Sequence, residues 1–150
     1  MAGRWRKAVP SASISGMDQW RNGVTVVRAG SLAGKGRATA FDFAGTGGQK
    51  TWIGTVTNAP GTNTGMHHHG SHEVAIYVVR GRSEIRWGEQ LQFAAEIGEG
   101  DFAYFTPYVP HQERNLSDSG TQVFLVVRSG NEGYVTKLDG KTVEDPETVY

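Results

Sequence analysis

Apolar and polar residues alternate in short runs along the chain. Residues 24–28, 39–43, 51–57, 73–79, 82–87, 90–97, 102–105 and 121–128 each read as a strand. Most of these runs are rich in β-branched and aromatic residues, which suit a pleated, half-buried surface. Turn-forming residues fall between them, at Gly45-Thr-Gly-Gly48, Asn58-Ala-Pro-Gly61, Arg80-Gly81, Gly98-Glu-Gly100 and Ser117-Asp-Ser-Gly120. Strands about ten residues apart with turn signals between them predict an all-β sandwich or barrel in a single domain. No segment holds an apolar 3.6-residue period over three turns. Residues 92–97 have helical propensity but are short and bounded by Gly88 and Gly98, so they read as strand. The pattern divides the chain into an N-terminal arm (1–22), a β-domain (23–130) and a C-terminal tail (131–150). Ile14, Met17 and Trp20 lie three apart in the arm and are placed to cover the domain or a partner. From Gly140 onward the tail is polar and is expected to be loosely ordered.

Composition narrows the function classes. The 15 basic and 15 acidic residues of the 150 cancel, which argues against a protein that binds nucleic-acid phosphates through excess Lys and Arg. With no cysteine, disulfides, thiolate metal sites and cysteine nucleophiles are excluded. The longest apolar run, Val74 to Val79, is far short of the ~20 residues that span a bilayer. No apolar stretch follows Arg4, Arg6 and Lys7 to make a secretory signal. The default expectation is a cytoplasmic protein with no nucleic-acid or membrane partner.

Four of the five histidines fall within six residues, at His67, His68, His69 and His72. On an extended chain, side chains alternate faces, so His67 and His69 share a face that His68 does not. Glu73 has the same parity as His67 and His69 if the Gly70-Ser71 turn leaves the count undisturbed. A bulge at that turn would bring in His72 instead. The fifth, His111, belongs to a separate strand. His67, His69, Glu73 and His111 converging inside a barrel would hold one first-row divalent ion. Imidazole suits iron, nickel, copper and zinc, and the carboxylate widens the range to manganese.

Two motifs then become visible. Gly61, five residues, His67-x-His69, three residues, Glu73, seven residues and Gly81 form the first. Gly100, five residues, Thr106-Pro107-Tyr108, two residues, His111, three residues and Asn115 form the second. In order and spacing they resemble the two motifs of the cupin superfamily over about residues 50–128. The first departs by one extra residue before its last glycine. In the second, Thr106 stands where the family has Pro and Tyr108 where it has Gly. The resemblance implies a cupin-type β-barrel (a jelly-roll-like double-stranded β-helix) with one metal ion inside. Manganese or iron comes first, with nickel, zinc or copper also within range. It further implies dimerisation through an N-terminal strand or arm, and so a homodimer.

Around the ligands, Tyr77 shares the face of Glu73, and Glu113 shares that of His111; either is a candidate for moving a proton. Trp52, Ile53, Met66, Phe93, Tyr104 and Phe124 are candidates to line the cavity. Arg86 would anchor a carboxylate if it pointed inward, and otherwise is a solvated strand position. The leading expectation is a metal-dependent enzyme on a small organic molecule, of dioxygenase type first, with decarboxylases, isomerases and lyases also represented in the superfamily. The alternative is a cupin that binds or senses a small ligand without chemistry. A metal-free, carbohydrate-modifying cupin fits less well, because such a site has no need of four ligands together.

Overall fold

The computed structural model describes residues 36–41, 50–130 and 135–150. They form β1 (Arg37–Phe41), β2 (Thr51–Asn58), β3 (His67–His68), β4 (Val74–Arg80), β5 (Ser83–Trp87), β6 (Phe93–Ile97), β7 (Phe102–Phe105), β8 (His111–Asn115), β9 (Gln122–Ser129), β10 (Thr136–Lys137) and β11 (Glu147–Thr148). Among the described residues there is no helix. One sheet has the order β1-β2-β9-β4-β7, the other β10-β3-β8-β5-β6-β11. The expected strand at 24–28, and the arm with Ile14, Met17 and Trp20 on which the homodimer expectation rests, lie outside the described residues.

Alternation decides which side chains fill the interior. In β4, Val74, Ile76 and Val78 are buried, while Ala75, Tyr77 and Val79 take the opposite face. Trp52, Phe124 and Val126 come in from β2 and β9, Ile85 from β5 and Phe105 from β7, closing one core between the two sheets. Full burial of each large side chain is worth ~1.5–3 kcal/mol, so this cluster is the main cohesive term. Gly54 shares the inward face of β2 with Trp52, and a Cβ there would collide with the indole and the Ala38 carbonyl. The glycine is what lets the indole lie flat along its own strand. Arg128 is also buried on the inner face of β9, its guanidinium 4.5 Å from the centre of the Trp52 ring.

Polar groups lock the end of the barrel near β8. Asn115 is 3% exposed, and its amide donates to the carbonyls of Ala59 (3.1 Å) and Gly120 (2.9 Å). Its Oδ1 accepts from the Ser117 amide. The motif asparagine is therefore a loop clamp. Gly81, at φ 91°, makes the β4–β5 turn, where other residues would be strained.

The C-terminal tail departs from expectation. Within residues 135–150 two short strands pair with the barrel: β10 runs antiparallel to β3, and β11 parallel to β6. The Val149 amide donates to the Ala94 carbonyl, and the Tyr150 ring stacks on Trp87 at 6.3 Å. Backbone pairing along open sheet edges holds a segment whose side chains carry little apolar signal.

Candidate metal centre

β3 and β8 are antiparallel neighbours in which His67 stands directly opposite His111. Opposed residues project to one face, so the two imidazoles lie side by side, with ring centres 4.4 Å apart. His69, two residues beyond His67, joins them at ring distances of 5.0 and 4.9 Å. One nitrogen from each of the three lies within 4.8 Å of the others. His67 Nδ1 faces the Gly65 carbonyl at 2.8 Å, and His111 Nδ1 the Val109 carbonyl at 2.9 Å. A carbonyl only accepts, so each Nδ1 carries the proton and each Nε2 keeps its lone pair for a cation. His111 Nε2 faces His69 Nε2 at 3.2 Å. This donor set fits a first-row divalent ion.

His111 is fully buried, and the Phe105 ring stacks on it at 4.2 Å. Burial lowers its pKa to about 4, helped by the charges of His67 and His68 and opposed by the Val109 hydrogen bond. It is therefore neutral at ordinary pH, as a ligand must be.

The structure does not bring Glu73 to this cluster. Val74, Ile76 and Val78 fill the core, so Glu73 faces outward and is exposed. Its Oε1 accepts a 2.6 Å hydrogen bond from the Tyr104 hydroxyl. That bond pushes the Tyr104 phenol upward, with desolvation and the carboxylate charge acting the same way. The sequence held a signal for this placement: six intervening residues before Gly81, as the family spacing asks, lead back to Val74. Tyr77 is likewise on the outer face, its ring 4.7 Å from that of the exposed Phe102. Glu113, by contrast, is on the inner face of β8. Its Oε2 lies 3.9 Å from His67 Nε2 and its Oε1 3.9 Å from His111 Nε2.

His68 is outside the cluster, its Nδ1 accepting from the Gly70 amide at 2.9 Å. His72 is outside it too, packed against Gly130. Of the proposed lining residues, Trp52 and Phe124 are core, Ile53, Met66 and Phe93 half-buried, and Tyr104 exposed. Arg86 is on the outer face of β5, paired with Glu84 at 2.8 Å. Sequence reasoning missed Thr64, whose hydroxyl holds Glu113 at 3.1 Å, and the Gly65 and Val109 carbonyls that orient the imidazoles. A lone threonine in a polar loop carries no sequence signal for such a role.

The turn leading into β8 uses an unfavourable residue. Tyr108, where the family has Gly, sits at φ 61° and donates its amide to the Gly70 carbonyl at 2.8 Å. A side chain there costs ~1–2 kcal/mol against glycine, offset in part by glycine's greater unfolded freedom. Because the ring is 62% exposed, little packing is lost on removing it. Tyr108→Gly is expected to stabilise the fold by about 1 kcal/mol in urea denaturation. A destabilised variant would show that the ring contributes more than its exposure implies.

Comparison with known proteins agrees with this architecture. The family pattern described as "Cupin domain" matches residues 54–128. No curated protein matches. A solved structure from Klebsiella pneumoniae, an uncharacterised conserved protein with a double-stranded β-helix domain, is 16% identical at TM-score 0.56, covering 86% of this chain and 99% of its own. Oxalate decarboxylase from Bacillus subtilis is 21% identical at TM-score 0.60 over 71% of this chain, and this chain spans 29% of that one. The Lactobacillus farciminis oxalate decarboxylase in its formate complex is 19% identical at TM-score 0.59, covering 73% and 34%. At these identities the likeness is one of fold.

Proposed function

The chain belongs to the cupin family, and on that footing we propose that it is a mononuclear metal-dependent cupin acting on a small organic molecule in the cytoplasm. The observation that carries this reading is the convergence of His67, His69 and His111, with two of the three rings oriented by backbone carbonyls. Those three side chains would hold the ion, with manganese or iron first and nickel, zinc or copper also compatible with the imidazole set. When bound, the ion would supply Lewis acidity toward an enol, carboxylate or hydroxyketone oxygen and, if redox-active, a means of using O₂.

The protein's own contribution is orientation and exclusion of water. The Val109 carbonyl fixes the His111 tautomer, and the opposed backbones of β3 and β8 set the spacing of His67 and His111. Phe105 covers one face of His111 and keeps that side dry, which strengthens electrostatic interactions within the site. Tyr77 and Glu73 have no part in this reading.

The test is a substrate panel with metal-loaded protein, followed by oxygen uptake and CO₂ release. The panel includes small carboxylic acids, since the oxalate decarboxylases share the fold. Turnover of at least one bidentate oxygen ligand is expected. Stoichiometric metal with no turnover on any class would leave the site as a ligand-binding module.

A further inference from the structure

We propose that Glu113 is the carboxylate ligand of the His67–His69–His111 centre, the role that the spacing of the first motif suggests for Glu73. The inference rests on the metal reading above and adds a residue to it. Its first support is register. Glu113 lies two residues beyond His111 on β8 and therefore projects to the same inner face. Its strand partner is the buried Ile85, so one flank of the carboxylate is hydrocarbon.

The second support is distance. The two carboxylate oxygens lie 3.9 Å from His67 Nε2 and 3.9 Å from His111 Nε2 respectively. Ligand atoms that each lie about 2.1 Å from one ion are separated from one another by roughly 3–4 Å. The carboxylate therefore stands at ligand separation from two of the three nitrogens.

The third support is charge compensation. The Glu113 side chain is 12% exposed, and a carboxylate so nearly buried needs a positive partner. Among the described residues the ionisable nitrogens within 4 Å of it belong to His67 and His111, which carry charge only when protonated. The Nδ1 protons of both point at carbonyls, so these rings face the carboxylate through lone-pair nitrogens. A cation held by the three imidazoles, which converge within 4.8 Å, would sit beside the carboxylate on its His67 and His111 side and balance its charge. Thr64 completes the arrangement. Its hydroxyl donates to Glu113 Oε2 at 3.1 Å and accepts from the Glu113 amide at 3.0 Å, holding the side chain in place as hydrogen bonds to ligating carboxylates do. Glu73, exposed on the outer face, meets none of these conditions.

Cobalt(II) is a suitable probe, because its visible bands report ligand type and number. Wild type, Glu113→Gln, Glu113→Asp and Glu73→Gln are titrated with cobalt under identical conditions. Glu113→Gln is expected to weaken cobalt binding on the order of tenfold or more and to shift the visible bands. Glu73→Gln should match wild type in both. Glu113→Asp, which keeps the charge, is expected to retain cobalt with altered bands, and it serves if the glutamine variant does not fold. Wild-type affinity and bands in Glu113→Gln, unchanged bands in Glu113→Asp, or loss of cobalt in Glu73→Gln would each overturn the assignment. Failure of cobalt to bind the wild-type protein would instead overturn the metal reading itself, and this assignment with it.

Discussion

Alanine at His111 or at His67 is expected to lower affinity for a divalent ion by at least a hundredfold, while alanine at His68 leaves it unchanged. The three residues separate by geometry. His67 and His111 are opposed across β3 and β8, with Nε2 directed inward and Nδ1 anchored on a carbonyl. His68 points to the other face and uses its Nδ1 to receive the Gly70 amide. Removing one of three imidazoles costs a coordinate bond that water replaces poorly. The loss should exceed the ~10–100-fold typical of groups that only support a ligand. His111→Ala also opens a cavity beside Phe105. His67→Ala, near the open end of its sheet, is thus the cleaner of the two variants. Isothermal titration with zinc or manganese, after circular dichroism has shown each variant folded, measures the effect. Equal losses in all three variants would contradict the alternation argument.

The metal-free protein is expected to lose about 3 kcal/mol of stability between pH 6.5 and pH 4 through His111 alone. The unfolded residue titrates near 6.5, and in the folded state burial lowers it to about 4. Between those values the unfolded chain binds a proton that the folded chain refuses, so stability rises with pH. The contribution is fully present above about pH 6.5 and is lost as pH falls toward 4. About 2.5 pH units at 1.36 kcal/mol each give the magnitude. Urea denaturation in the presence of chelator, at pH 7 and pH 4.5, measures the change, and the same experiment on His111→Gln isolates its source. Equal pH slopes in the two proteins would show that His111 is not the group responsible.

The barrel strands were legible wherever one face is hydrocarbon. β4 and β7 are nearly unbroken apolar runs, and β2 and β9 carry Trp52, Phe124 and Val126, which enter the core. β8 was not readable from apolar alternation, because its inner face carries His111, Glu113 and Asn115. A strand that lines a site gives up the hydrophobic signal that would announce it. β11 escaped for another reason: backbone pairing with β6 holds it, and such pairing leaves no mark in the side-chain pattern.

The pairing of His67 with His69 followed from parity across β3 and the residue after it, and the neighbouring β8 supplies His111. Glu73 did not, because the count crosses a turn. The His72 amide bonds back to the His69 carbonyl at 3.2 Å, so β3 and β4 are separate strands in separate sheets with independent faces. Both faces of β4 are apolar in sequence, so the burial of Val74, Ile76 and Val78 emerged only from the fold. That Glu113 shares the face of His111 followed from the same parity rule, on a strand that no turn interrupts.

The most direct measurement is an anomalous difference map, collected at the metal absorption edge, from a crystal loaded with manganese or zinc. The account predicts one dominant peak per chain, about 2.1 Å from one nitrogen of each of His67, His69 and His111. No peak among these three side chains in the loaded crystal, or a dominant peak on the outer face beside Glu73 and Tyr104, would contradict it.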